Sequence, residues 1–393
     1  MENFCSRKEA TKIALSPFRE AIDAVAEVGG EALRQCYQCG LCTGTCPWNL
    51  VKSFPTRKLI HQAQLGVVDF EGEDTWTCAT CRACVVRCPR GVAIIDIMKA
   101  LRNIVVEMGA GHMPDSLRVT LKNIAGTGNP LGEAPEKRTD WASGLDVKIF
   151  TKDTDVLYFS CCIPAYDPSI KRVARATARI LKKAGVDFGI LGRPESCCGE
   201  SVRKSGNESL FQKLAQSNIG AFLENGVNRI VVTSPHCYHT LKNEYPKLGG
   251  SFEVIHYTQY LLELIKDGRL KPTRELNLKV TYHDPCYLGR HNNVYDEPRE
   301  VLKSIPGLEL VEMLDYGANS LCCGGGGGRI WMETKKGERL SDLRLDQAVG
   351  TGASVLVAAC PYCMLNFEDS VLTTDRSDVI KVRDISELIL EAI

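Results

Sequence analysis

Five cysteines in the last third of the chain follow three segments that predict buried β-strands. The predicted strands run over Leu278 to Tyr282, Leu308 to Met313 and Ala353 to Ala359, the last with the apolar character of a parallel strand covered on both faces. The carboxyl ends of neighbouring parallel strands meet at one crevice, so we expect these thiols to lie together. The cysteines are Cys286, Cys322, Cys323, Cys360 and Cys363.

The adjacent pair Cys322 and Cys323 indicates a site for several metal atoms. Consecutive side chains diverge, so the pair suits two irons of a larger cluster better than one small tetrahedral ion. The run Gly324 to Gly328 follows directly and predicts a close approach of the backbone at the same place. Spacing alone therefore establishes a site of several thiols.

Four sequence strings resemble the cysteine-rich CCG domain of the heterodisulfide reductase catalytic subunit family, whose relatives include iron–sulfur subunits of glycolate, lactate and glycerol-3-phosphate oxidoreductases. The strings are YHDPCYLGR (282–290), CCGGGGGRIWME (322–333), CPYC (360–363) and SPHCYHTLKNEYP (234–246). The likeness covers nearly the whole chain. It implies that the five cysteines hold a non-cubane iron–sulfur cluster at which a disulfide is reduced or a thiol is oxidised.

A second cysteine pattern occurs twice near the N-terminus. Each run has three cysteines with two residues between them, then a fourth that precedes proline, which is the signature of two-cluster ferredoxins. The fourth cysteine of each run reaches the other cluster. Zinc is the alternative, but zinc ribbons use two pairs per site and not two quartets closed by Cys-Pro. One [4Fe-4S] cluster is assigned to Cys36, Cys39, Cys42 and Cys88, the other to Cys78, Cys81, Cys84 and Cys46.

The cysteine groups of the last third also have counterparts about 125 positions upstream. The pairs Cys162 and Cys286, Cys197 and Cys322, and Cys237 and Cys363 are separated by nearly the same number of residues. This constant offset predicts an internal duplication, with two α/β halves related by a pseudo-twofold axis.

The upstream copy is incomplete, because Ser234 stands where the second copy has Cys360. Its remaining set is Cys162, Cys197, Cys198 and Cys237. Four thiolates satisfy a cubane, so this half is expected to hold either a cubane or no cluster. Cys161 is expected to face away from Cys162, because side chains alternate along a strand.

The predicted fold class is α/β, with an N-terminal helical two-[4Fe-4S] ferredoxin module and two duplicated CCG halves. The expected divisions are a ferredoxin-like domain over 1–125, a linker over 126–153, a first half with the degenerate cysteine set over 154–275, and a second half with the complete set over 276–393. The linker is rich in glycine, proline and charge. We expect it to be the only connection between the ferredoxin module and the halves.

Composition restricts the partners. Lys+Arg and Asp+Glu both number 48, so there is no global charge to attract nucleic acid or an anionic membrane. Nineteen cysteines in short clusters without a signal peptide predict metal sites in a reducing cytoplasm. No apolar run reaches the ~18 residues that span a bilayer, so any peripheral contact with the inner face of the membrane would need a partner. The glycine run lacks the context of a dinucleotide site, and no flavin or nucleotide site is expected.

Several other residues adjoin the cysteine groups. His283, Asp284 and His236 either move protons or support the clusters by hydrogen bonds. Arg290 and Arg329 either hold an acidic substrate or balance an anionic cluster.

Two functions fit this pattern. In one, electrons pass through two cubanes to the non-cubane cluster, where a disulfide or thiol pair is converted. In the other, the chain is a relay between a partner flavoprotein, or a membrane cytochrome b that exchanges electrons with quinone, and another catalytic subunit.

Overall fold

A computed structural model describes residues 17–393, and Cys5 lies outside them. The N-terminal helices are α1 (Arg19–Val25), α2 (Leu41–Gly44), α3 (Thr56–Leu65), α4 (Asp74–Thr77), α5 (Ile94–Met108) and α6 (Asp115–Thr127). Those of the first half are α7 (Cys162–Tyr166), α8 (Lys171–Lys183), α9 (Glu200–Lys204), α10 (Glu208–Glu224), α11 (Pro235–His239) and α12 (Tyr257–Lys266). Those of the second half are α13 (Gly289–Asn292), α14 (Asp296–Lys303), α15 (Leu340–Gly350), α16 (Pro361–Thr373) and α17 (Ile385–Ala392).

Two parallel sheets carry the cysteine groups. The first has the order β1-β3-β2-β4-β5 and the second the order β7-β6-β8-β9. The strands are β1 (Lys148–Ile149), β2 (Val156–Phe159), β3 (Phe188–Ile190), β4 (Arg229–Val232), β5 (Glu253–His256), β6 (Lys279–Tyr282), β7 (Glu309–Val311), β8 (Val355–Ala358) and β9 (Lys381–Asp384). Apart from β1, the two orders match strand for strand, which confirms the predicted duplication.

Local sequence explains most of these elements. Strands β2 and β8 consist of apolar residues that are buried throughout, as expected for parallel strands with both faces covered. Helix α5 buries a continuous apolar face and ends at Gly109, which adopts a positive φ of 69°. Helix α3 ends in the same way at Gly66.

The halves pack through two helix pairs that correspond to each other. Helix α8 of the first half lies against α17 of the second, and α12 lies against α14. Helix α8 follows β2 as α14 follows β6, and α12 follows β5 as α17 follows β9. A rotation that exchanges the two halves therefore exchanges the pair α8 and α17 with the pair α14 and α12. This arrangement is consistent with the predicted pseudo-twofold relation.

Much of the segment predicted as a linker has regular structure. Residues Pro135–Ala142 form a 3₁₀ helix, and β1 adds a parallel strand beside β3. Trp141 is buried, with its ring edge-on to Tyr158 at a centroid distance of 5.6 Å. A single tryptophan in a polar segment gives no periodic signal, so the sequence did not indicate this packing. The domain boundaries themselves stay a prediction.

The ferredoxin module also contacts both halves directly, contrary to the expectation that the linker was its only connection. The contact centres on Arg102 of α5, whose side chain is fully buried. Its guanidinium donates to the carbonyl oxygens of Thr75 and Cys78 within the module, at 2.9 and 2.7 Å. It also donates to Lys204 of the first half and Gly327 of the second, at 2.9 and 2.8 Å. One side chain therefore joins three parts of the molecule.

We predict that Arg102→Met lowers the stability of the protein by more than ~3 kcal/mol, because it leaves several buried carbonyl groups unpaired at ~1–3 kcal/mol each. The measurement is the midpoint of anaerobic urea unfolding. The control is Arg118→Met, since Arg118 is an exposed residue paired with Asp115 and its loss should change stability by ~0.5 kcal/mol or less. Equal midpoints for the two variants would contradict the role given to Arg102.

Candidate functional site

The two cysteine loops of the ferredoxin module adopt the same unusual backbone conformation. Gln38 and Gly40 in the first loop have φ values of 67° and 84°, and Thr80 and Arg82 in the second have 49° and 67°. Positive φ is costly for residues other than glycine and persists where the surroundings require it. Here it turns each loop around a common centre, as expected for three cysteines that hold one cluster.

The second of the predicted cubane sets is assembled in the structure. Cys46 arrives from the other run and lies beside Cys78 and Cys81, and burial together with these neighbouring thiols raises the pKa of Cys46. Cys84 adjoins the same group. A cavity of about 350 Å³ is lined by all four cysteines. Four convergent sulfur donors around a closed space fit a cubane.

The first predicted cubane set is assembled in part. Cys42 lies near Cys36 and Cys39, and burial, with these thiols as a further cause, raises the pKa of Cys42. The Sγ of Cys88 accepts a hydrogen bond from the backbone N–H of Val92 at 3.4 Å. The grouping of Cys88 with the other three stays a prediction.

The five cysteines of the second half form a continuous row at the carboxyl ends of their strands, as predicted. The Sγ atoms of Cys286 and Cys322 are 4.0 Å apart, and those of Cys323 and Cys363 are 3.2 Å apart. Cys360 completes the row beside Cys363. All five are buried free thiols. This set of soft sulfur donors fits an iron–sulfur cluster.

His283 stands directly against this row. Arg344 has only donors, and its Nε donates to Nδ1 of His283 at 3.2 Å, which leaves the ring proton on Nε2. A ring nitrogen of His283 and the thiols of Cys323 and Cys363 lie within 4.8 Å of one another. The thiols of Cys322 and Cys363, and then His283, hold the pKa of Cys323 well below its usual range.

Asp284 has a different environment. Its carboxylate accepts hydrogen bonds from both terminal nitrogens of Arg299, at 2.6 and 2.9 Å, and from the backbone N–H of Gly317 at 2.8 Å. These bonds hold the loop between β7 and the adjacent cysteine pair. Of the two roles considered for Asp284, the structure favours support.

His236 crosses from the first half to the second. Its ring stacks on Tyr287 at a centroid distance of 3.9 Å, and its Nδ1 lies 3.2 Å from the Glu200 carboxylate. Burial lowers the pKa of His236, but Glu200 and Cys360 more than offset this and raise it to about 10. Tyr362 occupies the equivalent position in the second half and lines the first-half cavity. Each half therefore supplies one ring to the site of the other, which the constant offset could have suggested.

The second ferredoxin set lies beside the second-half set. The neighbouring Cys322 thiol, together with burial, raises the pKa of Cys81. Arg290 donates from Nε to the carbonyl oxygen of Cys81 at 2.7 Å, and the hydroxyls of Tyr287 and Thr80 are 2.8 Å apart. Arg290 is thus engaged by backbone carbonyl groups at this junction.

The glycine run explains how the two sets approach so closely. A Cβ at Gly326 would lie 2.4 Å from the carbonyl oxygen of Ala79, and one at Gly327 would lie 2.6 Å from that of Cys78. The sequence predicted a close backbone approach here. It did not indicate that the approaching backbone is the ferredoxin loop.

A surface cavity of about 870 Å³ reaches Cys323. Arg339 on its wall is paired with Asp369. Arg329, also on the wall, has no carboxylate partner among residues 17–393, and one of its terminal nitrogens donates to the carbonyl oxygen of Glu333 and the hydroxyl of Thr334, at 3.2 and 2.8 Å. Burial lowers the pKa of Arg329 to about 10. The cavity therefore presents a cation to any molecule that approaches Cys323.

The first-half set includes one residue that the sequence excluded. Cys162, Cys197, Cys198 and Cys237 lie together as predicted, in a cavity of about 420 Å³. Cys161 was expected to face away, but it lines the same cavity and accepts a hydrogen bond from the backbone N–H of Ser234 at 3.3 Å. A positive φ at Cys161 reverses the expected direction of its side chain.

Known families match most of the regions described above. The Cysteine-rich domain family matches residues 156–242 and 280–368, and the 4Fe-4S dicluster domain family matches residues 32–92. These matches support iron–sulfur clusters in the chain. Within residues 17–393, no helix has the length and apolarity needed to cross a membrane.

Three curated relatives illustrate the range of similar proteins. The EtfAB:quinone oxidoreductase of Syntrophomonas wolfei is 40% identical over 82% of this chain and 47% of its own length. The probable iron-sulfur-binding oxidoreductase FadF of Bacillus subtilis is 39% identical over the same shares. The chain thus spans about half the length of these two relatives.

The third relative is matched over nearly its full length. It is one of the subunits of the dihydromethanophenazine:CoB–CoM heterodisulfide reductase of Methanosarcina barkeri, and it is 32% identical over 92% of this chain and 94% of its own length. The ferredoxin module, the duplicated cysteine-rich halves and this coverage lead to one conclusion: the chain belongs to the same heterodisulfide reductase family as this relative.

Proposed function

We propose that the chain delivers electrons from its ferredoxin module to the second-half cysteine set, where a disulfide is reduced or a thiol pair is oxidised. The observation that carries the proposal is the proximity of Cys81 and Cys322, which belong to different cysteine sets. Iron–sulfur clusters bound at the second ferredoxin set and at the second-half set would be neighbours. They would supply one-electron transfer from one set to the other.

The proposed cubane ligands are the two sets deduced from the sequence. Cys36, Cys39, Cys42 and Cys88 form one, and Cys78, Cys81, Cys84 and Cys46 form the other. The proposed ligands of the non-cubane cluster are Cys286, Cys322, Cys323, Cys360 and Cys363.

Neighbouring residues would serve the chemistry at the second-half set. Reduction of a disulfide consumes two electrons and two protons and yields two thiols. His236 holds a proton beside Cys360, and a ring nitrogen of His283 lies within 4.8 Å of the Cys323 thiol, so both residues are placed to assist. Arg329, in the cavity that reaches Cys323, would orient an anionic substituent of the substrate.

The second candidate function is a pure electron relay. It is favoured by the likeness to the EtfAB:quinone oxidoreductase and to a probable membrane-anchored ferredoxin of Chromohalobacter salexigens, which is 32% identical over 91% of this chain. In that case the partners would be a flavoprotein or a membrane cytochrome b and another catalytic subunit. The inner face of the membrane would then be the place of action.

Turnover of small disulfides with reduced viologen separates the two candidates. We predict that the anaerobically purified chain oxidises the viologen only when a disulfide is present. Cys323→Ala should reduce this rate to background while the EPR signals of the cubanes remain. Cys5→Ala, at a cysteine outside every motif, is the control. Reduction of the clusters without consumption of disulfide would reject the enzyme and support the relay.

Iron analysis tests the number of clusters. We predict more than eight iron atoms per chain, because the two [4Fe-4S] clusters of the ferredoxin module alone account for about eight. The measurement is iron and acid-labile sulfide in the pure anaerobic protein. A value near eight would show that the cysteine-rich halves hold no cluster, and a colourless zinc protein would reject the whole assignment.

The junction can be tested at the glycine run. We predict that Gly326→Ala slows electron transfer from the module to the second half, since the new Cβ would displace the loop at Ala79. The accompanying loss of stability should be ~1–3 kcal/mol, as for other overpacked sites. Stopped-flow reduction measures the rate, and Gly350→Ala is the control because a Cβ there meets no atom within 4 Å. Equal rates in the two variants would argue against this route.

A further inference from the structure

The two halves show the same row of five thiols, although their sequences supply only four equivalent cysteines. In the second half the row runs through Cys286, Cys322, Cys323, Cys363 and Cys360, in that spatial order. In the first half it runs through Cys162, Cys197, Cys198, Cys237 and Cys161. Cys161 therefore takes the end position that Cys360 has in the second half.

The backbone at Cys161 is strained in a way that brings its thiol into the row. Its φ is 70° and its ψ is 163°, a region that residues with a side chain rarely occupy. The corresponding residue of the second half is Pro285, whose ring fixes φ near about −65° and cannot adopt this conformation. The strain is thus confined to the half that lacks a cysteine at the other position.

Ser234 has a different task from Cys360. Its hydroxyl accepts a hydrogen bond from the backbone N–H of His236 at 3.2 Å and so caps helix α11. Cys360 occupies the same position before α16 without making a side-chain cap. The Ser234 hydroxyl is therefore engaged by the helix, and its backbone N–H donates to the Cys161 sulfur. A serine oxygen is also a harder ligand than the soft thiolates that iron–sulfur sites select.

The surroundings of the first-half row suit a buried anionic group. Arg138 is fully enclosed and places its two terminal nitrogens 3.8 and 3.9 Å from the Sγ of Cys162. Its partner Glu195 is 2.7 Å away and equally buried. The Gly199 N–H donates to Cys197 at 3.4 Å, just as the Gly324 N–H donates to Cys322 at 3.3 Å. The backbone around the adjacent cysteine pair is therefore alike in the two rows.

We propose that Cys161 is the fifth thiolate ligand of an iron–sulfur cluster in the first half, held with Cys162, Cys197, Cys198 and Cys237. This replaces the expectation of a four-thiolate cubane or an empty half. It goes beyond the proposed function, which uses only the second-half set. Because the thiols of this row are buried and Tyr362 and Trp331 of the second half line their cavity, we assign the site to internal electron transfer and not to substrate binding.

The variant Cys161→Gly tests the proposal without disturbing the fold, because glycine adopts a positive φ freely. We expect the full chain, purified anaerobically, to lose one cluster's iron and sulfide relative to the Cys5→Ala control. The Mössbauer signals of the cubanes and of the second-half cluster should be unchanged. Iron and sulfide equal to the control would overturn the proposal.

A rescue variant makes the test specific to the missing ligand. The double variant Cys161→Gly with Ser234→Cys supplies a thiol at the position used by Cys360, and we expect it to regain the lost iron. If the double variant did not regain iron, the claim that Cys161 replaces a ligand at the position of Ser234 would be overturned. Combining Cys161→Gly with Cys360→Ala should give additive losses, since the two affect different clusters. The proposed function is judged separately, by disulfide turnover in Cys323→Ala.

Discussion

The buried positive charge of Arg102, which has no carboxylate partner among residues 17–393, holds the three parts of the molecule together. Arg102 directs its guanidinium to four backbone carbonyl groups, two in the ferredoxin module and one in each half. Burial lowers its pKa, and the thiol of Cys78 is the largest opposing influence. An anionic cluster on Cys78 would strengthen that influence. The bound ferredoxin cluster and the junction between domains are therefore expected to stabilise each other.

Although the chain has no net charge, several positively charged side chains are buried close to the cysteine sets. Arg138, Arg290 and Arg344 are all buried, and each lies close to a cysteine set or to a residue that touches one. Burying a charge is costly unless hydrogen bonds or an opposite charge compensate it. Rows of buried thiols that become thiolates when they bind iron need such cations nearby. The need of the cysteine sets for nearby positive charge thus accounts for the burial of these three arginines.

Duplication produced two similar rows of thiols in different settings. The second row adjoins both the ferredoxin loop and a surface cavity, whereas the cavity of the first row is lined by side chains of both halves. The two rows also reach five sulfurs by different means, one with a cysteine at the start of a helix and the other with a strained backbone. The common architecture therefore does not require a common role.

The amino-acid sequence alone determined the class of the fold, the duplication and the location of the cysteine sets. It could do so because ligand spacing and strand hydrophobicity are local properties that repeat along the chain. The exceptions depend on contacts between distant segments. Nothing in the sequence near Arg102 indicates that its partners lie in three parts of the chain, and nothing near Trp141 indicates that its segment packs on the first sheet.

Cys161 shows this limit most clearly. The prediction that its side chain faces away from Cys162 rests on the alternation of side chains along a strand, which assumes an extended backbone with negative φ. In the tertiary structure Cys161 has a positive φ, and its side chain turns toward the other cysteines. There its sulfur accepts a hydrogen bond from the backbone N–H of Ser234 and lies beside Cys237. The sequence shows that a cysteine is present at position 161, but only the packing around it decides that its strained backbone conformation is maintained.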